Sequence, residues 1–384
     1  MREIYLDNSA TTKVIPEAVE AMLEACQIKY GNPSSLHGKG IEAEKIIRET
    51  RERIAGFLNC SSKEIFFTSG GTEANNWAVF KAAEKLKRFG KHIITTSIEH
   101  SSVLEPIKEL EGRGFEVTYL SPSKEGIISL EELKRELRPD TILVSIMHAN
   151  NETGALQPVF EAAEIIKNIS HRAFFHVDAV QSFGKVNIDL KKERGIDFLS
   201  ISAHKIHGPK GIGALFIREG LNISPFLLGG EQEGKMRAGT ENLPGIAGFG
   251  AALKGLENNV EAHWEKIKEL KERFVRGIKD GIRDVIINGP LDNRALPHIV
   301  NVSFPGVKGE VLVHFLEQWG IYISTGSACH SRGGSVSHVL KAMGLKREAL
   351  EGAVRVSFSA LNSQEEVDFA VEKFREAVEE LRSL

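Results

Sequence analysis

The chain contains only three cysteines, Cys26, Cys60 and Cys329, and no CxxC pair. Three thiols cannot all pair, and their spacing matches no zinc ligand set, which argues against a disulfide-stapled scaffold and a cysteine metal site. No metal is expected. A reduced, cytoplasmic setting is, with any functional cysteine acting as a thiol. No run reaches the roughly 20 apolar residues of a membrane helix. The N-terminal Ile4-Tyr5-Leu6 meets Asp7 at once instead of extending into the apolar core of a signal peptide. A basic surplus is missing as well. With a net charge of −3, binding to the nucleic-acid backbone is not expected. Internal repeats and low-complexity tracts are lacking, which excludes solenoids and biased tails.

What the sequence does have is ordinary globular composition: 384 residues, 41% hydrophobic and 26% charged, enough for two domains. Short apolar runs at Glu64–Thr68, His92–Thr95, Glu116–Leu120, Thr141–Ile146, Ala173–Val177, Phe198–Ile201 and Gly213–Ile217 read as strands. Helical patterns lie between several of them, which predicts parallel strands covered on both faces. After about residue 255 the pattern changes. Trp264, Ile267, Leu270, Phe274 and Ile278 mark a long helix, and Ser363 with Glu366 forms a capping box before the last one. Strand candidates His298–Phe304, Gly320–Ser324 and Ala353–Phe358 lie between, as in a smaller α+β domain.

Chemistry concentrates just past the strands. Lys205, in Ser202-Ala203-His204-Lys205-Ile206-His207-Gly208-Pro209, follows a buried run. A partly desolvated lysine there is a nucleophilic amine able to form a Schiff base with a cofactor aldehyde. Asp178 ends another apolar run and needs a partner, which a pyridinium N–H would supply. Ser69-Gly70-Gly71-Thr72 opens a helix and suits a phosphate, although no Gly-Lys-Ser/Thr follows to make a Walker loop. Together the three spell pyridoxal phosphate. His100 follows a fourth strand and suits a ring face or a proton, and Asn151 and Gln181 are candidate hydrogen-bond partners for the ring. Cys329 sits in a glycine- and serine-rich stretch unlike a core position, with His330 and Arg332 placed to favour the thiolate. Cys26, by contrast, shares a helical stripe with Val19, Met22 and Leu23 and reads as packing; Cys60 also reads as structural.

Several long motifs in one order carry a resemblance. Tyr5-Leu6-Asp7-Asn8-Ser9-Ala10-Thr11-Thr12, Tyr30-Gly31-Asn32-Pro33-Ser34-Ser35-Leu36-His37, the run from Thr68 to Glu73 and the run from Ser202 to Gly213 are similar to the NifS/IscS-like cysteine desulfurases. These are class V members of the fold-type I pyridoxal-phosphate enzymes, and the likeness extends over essentially the whole chain. It implies an α/β fold in which residues 14–255 form a large cofactor-binding domain on a mostly parallel seven-stranded sheet covered by helices. Residues 1–13 and 256–384 would form a smaller α+β domain carrying the catalytic cysteine loop.

Position by position, the resemblance implies that Lys205 binds pyridoxal 5'-phosphate covalently, Asp178 pairs with the ring nitrogen and Gln181 meets the ring oxygen. Asn151 would lie near ring and substrate, and His100 would stack on the ring and shuttle protons. Gly71, Thr72, Ser202 and His204 would hold the phosphate, and Thr240 would reach the phosphate of a neighbouring subunit, implying a homodimer. Arg355 would grip the substrate carboxylate, and Cys329 would take sulfur from L-cysteine, giving L-alanine and a persulfide. The persulfide would pass to an acceptor or iron–sulfur scaffold protein, for cluster assembly. Ser324-Thr325 stands where two serines are expected, and His330 and Arg332-Gly333-Gly334 depart from the iron–sulfur housekeeping members, which bears on the acceptor rather than on the chemistry. Selenocysteine cleavage or another class V reaction is the alternative; a non-catalytic sulfur carrier is a third reading.

Overall fold

A computed structural model describes residues 3–257, 259–325 and 336–383. Its strands are β1 (Ile4–Tyr5), β2 (Ile65–Thr68), β3 (His92–Thr96), β4 (Glu116–Leu120), β5 (Thr141–Met147), β6 (Phe174–Asp178), β7 (Phe198–Ser202), β8 (Gly213–Ile217), β9 (Ile286–Asn288), β10 (Ile299–Ser303), β11 (Ile321–Tyr322) and β12 (Ala353–Ser357). Seven of them make one sheet in the order β2-β8-β7-β6-β5-β3-β4. Strands β3, β5, β6, β7 and β8 are buried at every position, so their apolar residues fall on both faces where a one-sided sheet would alternate.

The expected parallel arrangement holds from β4 to β7. Strand β8 departs from it, running antiparallel to both β7 and β2. The reason is the length of the connection: Ala203–Ile212 is too short for a crossover, which takes a dozen or more residues. That connection holds Lys205, so the reversal presents the lysine at the sheet's carboxyl edge instead of feeding it into a helix.

A second, antiparallel sheet has the order β12-β10-β9, and β1 pairs in parallel with β11. Helices Val260–Gly281 and Gln364–Ser383 pack together against these strands through Ile267, Phe274, Phe374 and Val378, all buried. Ile4 and Leu6 join that cluster, whereas the cluster beneath the seven-stranded sheet draws on residues from Ala25 to Leu253. We take this separation as support for a boundary near residue 255. Ile98 and Met147, from the carboxyl ends of β3 and β5, pack against Val339, Leu340 and Met343 and tie the two parts together beside the site. Burying a side chain of this size contributes roughly 1.5–3 kcal/mol.

The capping box forms as expected, Glu366 accepting from the Ser363 N–H while the Ser363 hydroxyl accepts from the Glu366 N–H. The expectation for Cys26 does not hold. Cys26 is exposed, as are Val19 and Leu23, because helix Pro16–Gln27 turns its small residues Ala18 and Ala25 inward. Cys60 is half-buried against the core, and burial pushes its thiol up to about 12.

Candidate active site

The carboxyl ends of β2, β3, β5, β6 and β7 open on one cavity of about 370 Å³, the place where α/β sheets present ligand sites. Lys205 reaches it from a short helical turn after β7 and donates from Nζ to the carbonyl oxygens of Ser9 and Ala10, the latter at 2.9 Å. Asp178 ends β6 and is buried. Its Oδ2 accepts from Asn75 Nδ2 at 2.8 Å and its Oδ1 from the Val180 N–H at 3.0 Å. Two donors thus hold the carboxylate facing the cavity, in keeping with the partner a buried acid requires.

Helix Gly71–Leu86 starts at the cavity wall. Gly70 takes φ +152, and a Cβ on Gly71 would lie 2.6 Å from Val180 Cγ2, so only glycine allows this approach. Gly71, Thr72, Ser202 and His204 also line an adjoining recess with Lys210. Burial, assisted by Lys205, Lys210 and Lys185, pulls His204 down to about 3, so its ring is neutral at pH 7. Helix N–H groups, hydroxyls and a nearby ammonium suit a phosphate.

His100 caps helix Ser101–Gly112. Its Nδ1 accepts from the Ser102 N–H at 3.2 Å and lies 2.8 Å from Ser102 Oγ, which assigns the proton of the neutral ring to Nε2. The capping role and a place in the cavity wall coexist. Asn151 lines the cavity while its carbonyl accepts from Arg355 Nη1 at 3.1 Å, and buried Asn150 braces the turn by accepting from the N–H groups of Glu152 and Thr153. Arg355 enters from β12 on the opposite wall, buried and paired with Asp7 at 2.8 Å. Thr240 is exposed and lines neither the cavity nor the recess of this chain. Cys329 lies outside the described residues.

Gln181 donates from Nε2 to the Ser9 carbonyl at 2.9 Å, while its buried Oε1 finds no partner among the described residues, and neither does Ser202 Oγ. Unfilled buried polar atoms beside a cavity are what a polar ligand would satisfy. A pyridine ring with a hydroxyl and a phosphate fits this donor and acceptor set: Gln181 suits the hydroxyl, Asp178 the ring N–H and the recess the phosphate.

Some residues in or behind the cavity wall escaped the sequence reading. Asn75 lies one turn after Thr72 on the same helix face, and that spacing was the available signal. Asp7 was visible only as part of a motif, because its partner Arg355 is 348 residues away. Glu99 precedes His100 and is fully buried, held by the Met147 N–H at 2.9 Å and Thr96 Oγ1 at 2.8 Å. Burial, with Asp178 adding repulsion, pushes its carboxyl up to about 8. Among the described residues no group of histidines, cysteines and acids could hold a metal ion, and no helix is long and apolar enough to cross a membrane.

A model of the aminotransferase class V family matches residues 4–369. The chain belongs to that family. The class V relatives include the cysteine desulfurase IscS of Dictyoglomus turgidum, 45% identical over 383 residues that span all of this chain and 96% of its own. The cysteine desulfurase IscS of Methanosarcina thermophila is 46% identical over 383 residues, all of this chain and 94% of its own. Among solved structures, a NifS-like protein superposes with a TM-score of 0.92 at 41% identity, covering 98% of this chain and 99% of that one. SspA in complex with cysteine superposes with a TM-score of 0.82 at 35% identity, covering 94% of this chain and all of that one. The expected class V fold is therefore borne out.

Proposed function

We propose that this chain is a pyridoxal-phosphate-dependent cysteine desulfurase, removing sulfur from L-cysteine to give L-alanine and a persulfide on Cys329. The observation that carries this reading is the shared cavity, in which Lys205, Asp178, the Gly71–Thr72 cradle and Arg355 face one another. The relatives named cysteine desulfurase, and SspA with its bound cysteine, support the same substrate. In this reading Lys205 holds the cofactor, Asp178 the ring N–H, Gln181 the ring hydroxyl, and Gly71, Thr72, Ser202 and His204 the phosphate. When bound, the cofactor supplies an electron sink for the charge left as the substrate's α C–H bond ionises.

The chain's own residues do the rest. Arg355 and Asn151 orient the amino acid through its carboxylate, with the guanidinium braced by Asp7. Lys205 Nζ takes the α-proton and returns it. His100 passes a proton from Nε2. The Cys329 thiolate attacks the substrate sulfur, forming the S–S bond as the C–S bond breaks; the carbon retains that electron pair, takes up a proton and leaves as alanine.

The persulfide goes to an acceptor protein, with iron–sulfur cluster assembly as the pathway and the cytoplasm as the compartment. A homodimer would bring Thr240 to the partner's phosphate recess. Exposed Tyr30, Leu36, Ile41 and Leu228 support such an interface, being unusually apolar for open surface. Lys205→Ala is expected to lose the cofactor's visible absorbance, and Cys329→Ser to keep it while losing sulfur release. Sulfide production by the serine variant at the wild-type rate refutes the assignment.

A further inference from the structure

A second cavity, of about 150 Å³, lies behind Lys205, which lines both it and the active-site cavity. Its basic side chains come from four separate parts of the chain. Lys185 ends the turn that follows β6, His207 follows Lys205, His263 lies in the first turn of helix Val260–Gly281, and His298 precedes β10. None of the described residues lining the cavity is acidic.

Lys185 has no hydrogen bond or ion pair to Nζ among the described residues, and desolvation alone pulls it down to about 8. At pH 7 the amine is still mostly protonated, and an enclosed cation without a counter-charge is costly. The His298 side chain likewise makes no hydrogen bond among the described residues, its Nδ1 being fully enclosed and its ring edge-on to Trp264. Burial holds its ring far below the usual histidine range, helped by Lys185, Lys271, His207 and His263. Both residues are half-buried and line the cavity.

His207 adds a conformational sign. It takes φ +65, a strained choice for a side chain with a Cβ, fixed by its N–H donating to Thr12 Oγ1 at 2.7 Å and by its Nδ1 at 2.9 Å from the Lys13 carbonyl. Such strain costs of order 1–3 kcal/mol and persists where the surroundings enforce it, often at ligand sites. The first turn of the 22-residue helix Val260–Gly281 adds the positive end of a helix dipole to the same wall.

We propose that this cavity is a small-oxyanion site, in which Lys185, His207, His263 and His298 surround one inorganic anion of the phosphate or sulfate class. The Lys185 ammonium and the ring N–H groups of His263 and His298 converge from three directions, while His207, whose Nδ1–H is committed to the Lys13 carbonyl, joins them when an anion draws a proton onto its Nε2, an arrangement that suits a tetrahedral oxyanion. The space is well above the roughly 30 Å³ share of one water, and so larger than a single halide fills. The site differs from the phosphate recess at Gly71 and Thr72, with which it shares no lining residue. It stands independently of the desulfurase reading.

The test is titration of inorganic phosphate into cofactor-saturated enzyme by calorimetry at pH 7, with ionic strength held constant by chloride. One saturable site per chain is expected, weakened at least tenfold by Lys185→Met and at least threefold by His298→Asn. No saturable binding, equal affinity in Lys185→Met, or phosphate failing to compete with chloride overturns the proposal. Wild-type crystals soaked in selenate give a check that needs no variant. An anomalous peak within hydrogen-bond reach of Lys185 Nζ supports the site, and its absence at saturating selenate overturns it.

Discussion

Replacing Asp178 by Asn separates what the carboxylate does for the fold from what it does for the ring. In the fold, Asp178 accepts from Asn75 Nδ2 and from the Val180 N–H. An amide keeps the second bond through its own oxygen and turns its NH₂ toward Asn75. The Asn75 Oδ1 is buried without a partner among the described residues, so a flip of that amide lets it accept, at the cost of the Asn75 Nδ2 bond to Ser102 Oγ. The apo protein should therefore lose less than about 1 kcal/mol, a single neutral hydrogen bond at most. Toward the cofactor the loss is larger, because an amide cannot hold a proton on the ring nitrogen. A charge-assisted bond contributes about 1.5–3 kcal/mol, which corresponds to roughly 10- to 150-fold weaker cofactor retention. The assay is equilibrium dialysis of pyridoxal phosphate against apo Asp178→Asn, with the apo melting temperature as the folding control. Retention within twofold of wild type, together with wild-type turnover, would show that Asp178 does not face the ring nitrogen.

Four further outcomes follow. Gly71→Ala brings a Cβ to within 2.6 Å of Val180 Cγ2 and should weaken cofactor binding at least tenfold, while Gly71→Ala with Val180→Ala recovers most of it in the same dialysis assay. Arg355→Lys keeps the charge but loses the fork that spans Asp7 and the Asn151 carbonyl; KM for L-cysteine should rise about tenfold or more, with cofactor absorbance unchanged. Glu99 has its folded-state pKa raised to about 8, so its stability contribution is fully present below the ordinary carboxylate range and is lost as pH rises toward 8. Glu99→Gln should flatten that part of the melting temperature–pH curve, and an unchanged slope in the variant contradicts the assignment. Glu233 is buried, sits at φ +46, and binds Arg51 through both oxygens at 2.7 Å while accepting from the Phe67 N–H at 2.8 Å. Breaking a buried pair of this kind costs about 3–5 kcal/mol, so Glu233→Ala should lower the urea midpoint clearly.

The large sheet was legible because strands buried on both faces are short and mostly apolar, as Thr141–Met147 and Phe198–Ser202 are, with helical patterns between several of them. β1 and β9 were not, since β1 has two residues and β9 lies at a sheet edge with Ile286 exposed. Lys205, Asp178, Gly71 and His100 were readable because each closes a strand or lies within a few residues past one, where position alone suggests a ligand. Asn75 and Asp7 act through partners far along the chain, and no local pattern carries such a pairing. Cys26 misled because an apolar stripe does not say which face of a helix meets the core; there the small residues did.

The most direct measurement is the ratio of alanine released to persulfide formed on Cys329 when cofactor-loaded enzyme meets L-cysteine without reductant or acceptor. The account predicts one alanine per persulfide in a first turnover, with neither product from Cys329→Ser. Alanine released with its sulfur going directly to sulfide, and Cys329 remaining an unmodified thiol, contradicts it.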